Sequence, residues 1–233
     1  MGYNIDQLIE KLKVTKTIFF DLDGTLIDTE KLYFRFWKEG ASFYGYEMSD
    51  EEALNMRSIN PKSGEEYLTK ISNGKLDYHK VKAKRIELMT EYLSTHPIEM
   101  KLGAMEFLTL LAKEHKKIYI VTANAVEKAE SIIKEVGFRH LVDGVISAKE
   151  VARGKPFPDV YLKACEIVNE KPRDVIVFED SPNGLKSSYD AGCYTVMVED
   201  LTPFNENMDY VDASISSLLE LNIVYTYTRI HNK

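Results

Sequence analysis

Four short runs along the chain are apolar at nearly every position: residues 17–21 (TIFFD), 117–121 (KIYIV), 175–179 (VIVFE) and 194–198 (YTVMV). Continuous rather than alternating apolarity predicts strands buried on both faces, as in a parallel sheet covered by helices. A weaker run at residues 144–147 predicts a further strand. Amphipathic helical patterns at 105–113, 125–136, 158–168 and 183–191 fall between these runs. Strand and helix in alternation predict an α/β fold, a doubly wound, Rossmann-like parallel sheet whose ligands sit beyond the carboxyl ends of the strands. Residues 30–97 break the rhythm: they carry helical patterns at 30–44, 50–56, 64–71 and 78–93 and no strand. Some 70 residues is far longer than an ordinary strand-to-helix connection. This stretch is therefore expected to be an inserted helical cap, hinged near residues 28–31 and 97–102. Residues 1–29 and 98–233 are then the core.

Composition narrows the partners. The 233 residues carry 30 basic and 37 acidic side chains, a net charge of −7. That balance argues against a nucleic-acid or anionic-membrane binder, which needs a concentrated basic face. Cys165 and Cys193 fit no metal pattern and are expected in or near the core, which suits a reducing compartment. No apolar run reaches the roughly 20 residues that span a bilayer. The first 14 residues carry Asp6 and Glu10 and lack an apolar centre, unlike a secretory signal. A soluble, cytoplasmic monomer is expected, with no membrane or nucleic-acid partner.

The chemistry-bearing residues gather at the predicted strand ends. The first strand runs into Asp21-Leu22-Asp23-Gly24-Thr25, and another ends in Glu179-Asp180-Ser181-Pro182-Asn183-Gly184. Each has a plain structural reading, a polar turn for the first and a helix cap at Asp180 or Ser181 for the second. Acids at the ends of buried strands are nonetheless costly unless a cation or hydrogen bonds compensate. Two such ends on one edge make a hard-oxygen site of the kind Mg²⁺ prefers. Between them lies Gly154-Lys155-Pro156-Phe157-Pro158-Asp159-Val160-Tyr161, where two prolines stiffen the loop that carries Lys155. Lys155 is either a fixed phosphate counter-charge or a solvated loop residue. Val121-Thr122-Ala123-Asn124 ends the second strand before a helix, as a phosphate cradle or an ordinary cap.

In this order the motifs resemble the haloacid dehalogenase superfamily, and within it the β-phosphoglucomutase-like and phosphatase group with a helical cap between the first two motifs. The resemblance spans about residues 16–216. It implies a Mg²⁺-dependent phosphatase of a small phosphate monoester, with Asp21 as nucleophile and Asp23 as general acid and base. It implies Mg²⁺ held by Asp21, Asp180 and the backbone carbonyl of Asp23, supported by Glu179. Thr122, the backbone of Ala123 and Lys155 would then grip the phosphoryl oxygens. Phosphate-monoester hydrolysis needs accelerations up to about 10²¹, roughly 28 kcal/mol, so several groups must share the work. The dehalogenases of the superfamily lack an acid where Asp23 stands. The β-phosphoglucomutases carry a His where this chain has Tyr33, which weighs against a mutase. A phosphonoacetaldehyde hydrolase would need a Schiff-base lysine, for which Lys31 and Lys38 are available but not singled out. A non-catalytic phosphometabolite-binding module is the remaining alternative. Candidate specificity contacts are Tyr33 and Trp37, one helical turn apart, with Arg57 and Lys62 in a loop between cap helices. Trp37 alternatively belongs to the cap's own core.

Overall fold

The computed structural model describes residues 2–56, 61–203, 205 and 208–231. The chain divides into two compact units, one formed by Met1–Ile27 with Met100–Lys233 and the other by Asp28–Glu99.

The first unit is built on a six-stranded, wholly parallel sheet. The strands are β1 (Thr17–Phe20), β2 (Lys117–Thr122), β3 (Gly144–Ser147), β4 (Val175–Glu179), β5 (Tyr194–Val198) and β6 (Ala213–Ile215). Their spatial order is β3-β2-β1-β4-β5-β6. The sheet thus grows outward in both directions from the β1–β4 pair, and that reversal opens a crevice between the two strand ends. All four residues of β1 and all five of β4 are buried. This is why both read as unbroken apolar runs: successive side chains point to opposite faces, and both faces are covered. On one face Phe19, Val121 and Val177 pack against Val160, Tyr161 and Ala164 of α8 (Asp159–Val168). On the other, Phe20 stacks on Phe178 with ring centroids 4.8 Å apart. Phe107 of α6 (Ala104–Lys113) meets both rings edge-on. Such aromatic contacts are worth about 0.5–1.5 kcal/mol each beyond the area they bury.

The interior strands and their helices follow the apolar pattern to within a residue or two, including α7 (Val126–Val136) and α9 (Pro182–Asp190). Three elements lie outside that pattern: α1 (Ile5–Val14), α10 (Leu218–His231) and β6. β6 has only three residues, too few for a recognisable run. α1 buries Ile5, Leu8, Ile9 and Leu12 along one stripe, a spacing that marks an amphipathic helix without any continuous apolar stretch. Cys165 and Cys193 are buried and unbridged, as expected for core residues. Among the described residues, no helix is long and apolar enough to cross a membrane.

The second unit is helical: α2 (Glu30–Phe43), α3 (Asp50–Asn55), α4 (Pro61–Ile71) and α5 (Tyr78–Leu93). Its core gathers Trp37, Ala41, Met48, Ala53, Met56, Leu68, Leu76, Tyr78 and Val81. A capping box starts α3, in which Ser49 accepts the N–H of Glu52 and Glu52 accepts that of Ser49. At Gly40, a Cβ would meet the carbonyl of Val81 at 3.1 Å, so glycine lets α2 and α5 approach closely. One expectation changes here, and one pair of alternatives is decided. Lys62 is not in a loop, because α4 begins at Pro61, a residue suited to a first helical turn. Trp37 is a core residue: it is 4% exposed and stacks on Tyr78, with the Arg85 guanidinium over its ring.

Candidate active site

The register of β1 and β4 builds the site. Phe20 pairs with Phe178, and the N–H of Asp21 donates to the carbonyl of Phe178 at 2.9 Å. Asp21 and Glu179 therefore emerge at one level on neighbouring strands, on the two sides of the crevice. Past Asp21 the chain must turn. Gly24 takes φ +84°, a conformation that favours glycine, and its N–H donates to the carbonyl of Ile27 at 2.8 Å. With Leu22 and Leu26 buried beneath it, this turn fixes Asp23 and Thr25 at the strand end.

Lys155 reaches into the same place. Its ammonium donates to Asp21 Oδ1 at 2.5 Å, to Glu179 Oε1, and to the carbonyl of Val121 at 3.2 Å. Glu179 is fully buried and held from three further directions. The Tyr161 hydroxyl donates to Oε1 at 2.7 Å and the Ser181 hydroxyl to Oε2 at 3.3 Å. Gly184 presses so close that a Cβ there would sit 2.1 Å from the Glu179 carboxylate. The Tyr161 ring also lies beneath the ammonium, 5.4 Å from nitrogen to centroid, a cation–π contact. Asp180 accepts from Thr25 Oγ1 at 3.2 Å, which ties the last acidic motif to the first. Ser181 also caps α9 by accepting the N–H of Gly184 at 3.1 Å, so the capping reading of this motif holds beside the acidic one.

At the end of β2, Thr122 is buried and Ala123 exposed. Thr122 Oγ1 accepts the backbone N–H of Asn124 at 3.1 Å. The Asn124 side-chain amide donates to Asp23 Oδ2 at 2.5 Å. The strand ends thus bring Asp21, Glu179, Asp180 and Lys155 into one buried cluster, with Asp23 joined to the Thr122 loop beside it.

Burial is the largest influence on Asp21 and pushes its carboxyl up to about 8. The ammonium of Lys155 opposes that rise, and the charges of Glu179 and Asp23 add to it. Lys155 itself is raised, because its two carboxylate partners outweigh the cost of burying its charge. The sign of the consequence is fixed. Between the ordinary carboxylate value and about 8, folded Asp21 holds a proton that the unfolded chain has lost, so stability falls as pH rises through that window. In chelator, the melting temperature of the wild type is expected to fall from pH 5 to pH 8 relative to that of Asp21→Asn. Parallel curves would contradict the protonation.

The same cluster fits a divalent cation. Asp21, Glu179 and Asp180 are all buried and offer carboxylate oxygens within 4.8 Å of one another, the group of this kind found among the described residues. At that separation each carboxylate pair repels by roughly 3 kcal/mol in an effective dielectric of 20. With all three carboxylates ionised, the single ammonium of Lys155 leaves two negative charges uncompensated, which one Mg²⁺ would balance. The all-oxygen donor set is also the one that hard cations take.

Of the specificity candidates, Tyr33 is half-buried against the second unit's core with the Arg85 guanidinium 4.9 Å from its ring centroid, and Lys62 is exposed. Arg57 lies outside the described residues. The supporting residues Thr25, Tyr161 and Asn124 were present in the quoted motifs, but only the folded geometry shows what they hold. Ser147, at the end of β3, carried no signal.

The chain matches the family described as haloacid dehalogenase-like hydrolases over residues 18–198. It is 30% identical over 218 residues to hexitol phosphatase A of Escherichia coli, covering 89% of this chain and 94% of that one. It is 28% identical over 184 residues to a phosphorylated carbohydrates phosphatase of Thermotoga maritima, covering 76% and 82%. The fold is also that of β-phosphoglucomutase from Clostridium difficile, with a TM-score of 0.73 at 18% identity over 94% of this chain and 98% of the other. By its matched sequence and its parallel α/β core, the chain belongs to the haloacid dehalogenase-like hydrolases.

Proposed function

We propose that the protein is a phosphoric monoester hydrolase of small phosphorylated metabolites, sugar phosphates above all, and that it carries the phosphoryl group on Asp21. Residues 1–29 and 98–233 are its catalytic core and residues 30–97 its cap. The observation that carries this reading is the convergence of Asp21, Glu179, Asp180 and Lys155 in one buried cluster at the β1–β4 crevice. The relatives named for sugar and hexitol phosphates point to the substrate class.

In this account the Asp21 carboxylate attacks phosphorus, and the bond to the ester oxygen breaks. Asp23 gives that oxygen its proton, so the alcohol leaves neutral. The Asp23 carboxylate then takes a proton from water, whose oxygen attacks the aspartyl phosphate, releasing inorganic phosphate and restoring Asp21. Lys155 supplies the positive charge that lets two anions meet, and Glu179, held by Tyr161 and Ser181, keeps it in place. The Thr122 hydroxyl, already accepting the N–H of Asn124, donates its own hydrogen to a phosphoryl oxygen beside the Ala123 N–H. Asp21, Asp180 and the Asp23 carbonyl, with Glu179 behind them, would hold Mg²⁺. Bound there, the ion neutralises charge that otherwise repels the phosphate.

The test is phosphate release from a panel of sugar and small-acid phosphates, with Mg²⁺ and with chelator. Release that stops on chelation is expected. Isomerised sugar phosphate without free phosphate would overturn the hydrolase reading. In the same assay Asp180→Ala should raise the half-saturating Mg²⁺ concentration by at least about tenfold. An unchanged Mg²⁺ dependence would remove Asp180 from the cation site.

A further inference from the structure

Asp23 has two jobs in the proposed reaction, and both depend on where its carboxylate points. The structure joins it to a residue that the motif comparison leaves without a role. Asn124 donates its side-chain amide to Asp23 Oδ2 at 2.5 Å, and the same amide nitrogen lies 3.4 Å from Thr122 Oγ1. Its backbone is fixed on both sides: the N–H donates to Thr122 Oγ1 at 3.1 Å, and the carbonyl accepts the Ser147 hydroxyl at 2.6 Å. Three adjacent strand ends, those of β3, β2 and β1, are thereby linked through one residue, to β3 by its backbone carbonyl and to β1 by its side chain. Asn124 is half-exposed, so packing alone does not account for this alignment.

We infer that Asn124 is a positioning residue for the general acid, holding Asp23 by Oδ2 so that Oδ1 carries the proton to the leaving oxygen. An oxygen that accepts an amide N–H is the poorer proton carrier, so the amide selects between the two oxygens as well as orienting them. In the first displacement the Asp21–phosphorus bond forms and the phosphorus–ester bond breaks, while the proton on Asp23 Oδ1 passes to the departing oxygen. The cost of misplacing that proton depends on the leaving group. An alkoxide or phenoxide needs it, whereas 4-nitrophenolate leaves with little help.

This inference rests on the phosphatase reading, and the experiment separates the two. Phenyl phosphate and 4-nitrophenyl phosphate have nearly the same shape, so a change in binding affects both alike. For Asn124→Ala, kcat/KM for phenyl phosphate should fall at least about tenfold further than for 4-nitrophenyl phosphate, within the range that general-acid catalysis contributes. Asn124→Asp keeps the shape but replaces the donor with a second carboxylate, and should show the same discrimination. Equal losses on both substrates, or no loss in either variant, would overturn the role. A wild type that releases no phosphate from these esters or from the sugar-phosphate panel would instead overturn the phosphatase reading itself. Thermal melting of each variant checks that the half-exposed substitution leaves the fold standing.

Discussion

Asp21→Asn is expected to abolish turnover by about a millionfold, the scale seen when a covalent nucleophile is removed from an enzyme. The amide keeps the size and planarity of the carboxylate but has no lone-pair charge to attack phosphorus. The backbone N–H bond to Phe178 does not depend on the side chain, so the strand end should stay in register. Stability at pH 8 in chelator should hold or rise, since one of three carboxyl groups confined in a buried cluster has been neutralised. Steady-state phosphate release and thermal melting measure the two effects. Activity within tenfold of the wild type would remove Asp21 from the chemistry, and a collapsed melting curve would make the residue structural.

Lys155→Met should damage both function and fold. Lys155 is the cation paired with Asp21 and Glu179, and its side chain is only 9% exposed. Breaking a buried ion pair from one side typically costs about 3–5 kcal/mol, because the abandoned charge stays buried. For a protein of this size that is a fall in melting temperature of roughly 6–20 °C. Losing a fixed charge aimed at the developing transition state costs a further factor of about 10²–10³ in kcat. The contrast with Asp21→Asn is diagnostic: one variant is inactive and stable, the other impaired and unstable. A Lys155→Met protein as stable as the wild type would mean that Glu179 is satisfied by Tyr161 and Ser181 alone.

The strands that build the site were legible because each is buried on both faces and so carries an unbroken apolar run. Thr17–Phe20 and Val175–Glu179 are the clearest cases, and the acids at their ends could be placed from that alone. The spatial order of the strands was not legible, although it is what sets Asp21 beside Glu179. Alternation implies a parallel sheet but does not say which strands are neighbours. Contacts made through single side chains escaped as well. Nothing in the spacing of Asn124 relative to Asp23, 101 residues earlier, reveals that their side chains meet. Tyr161 closed the motif that carries Lys155 without a role of its own, yet its hydroxyl ends on the carboxylate that anchors Lys155. In the second unit, the aromatic residues of α2 could be read as ligand contacts or as core. Burial decides for Trp37, because its ring is enclosed by Tyr78 and Arg85.

Transfer of the phosphoryl group to Asp21 is the central step of the proposed reaction. The direct measurement is rapid quenching of the enzyme during turnover of a radiolabelled sugar phosphate with Mg²⁺, followed by trypsin digestion and fragmentation of the labelled peptide. Cleavage after Lys16 and Lys31 releases residues 17–31, which contain Asp21, Asp23 and Asp28. Hydroxylamine-sensitive label is expected on that peptide, localised to Asp21 and missing from Asp21→Asn. Turnover without any labelled peptide, or label on another residue, would contradict it.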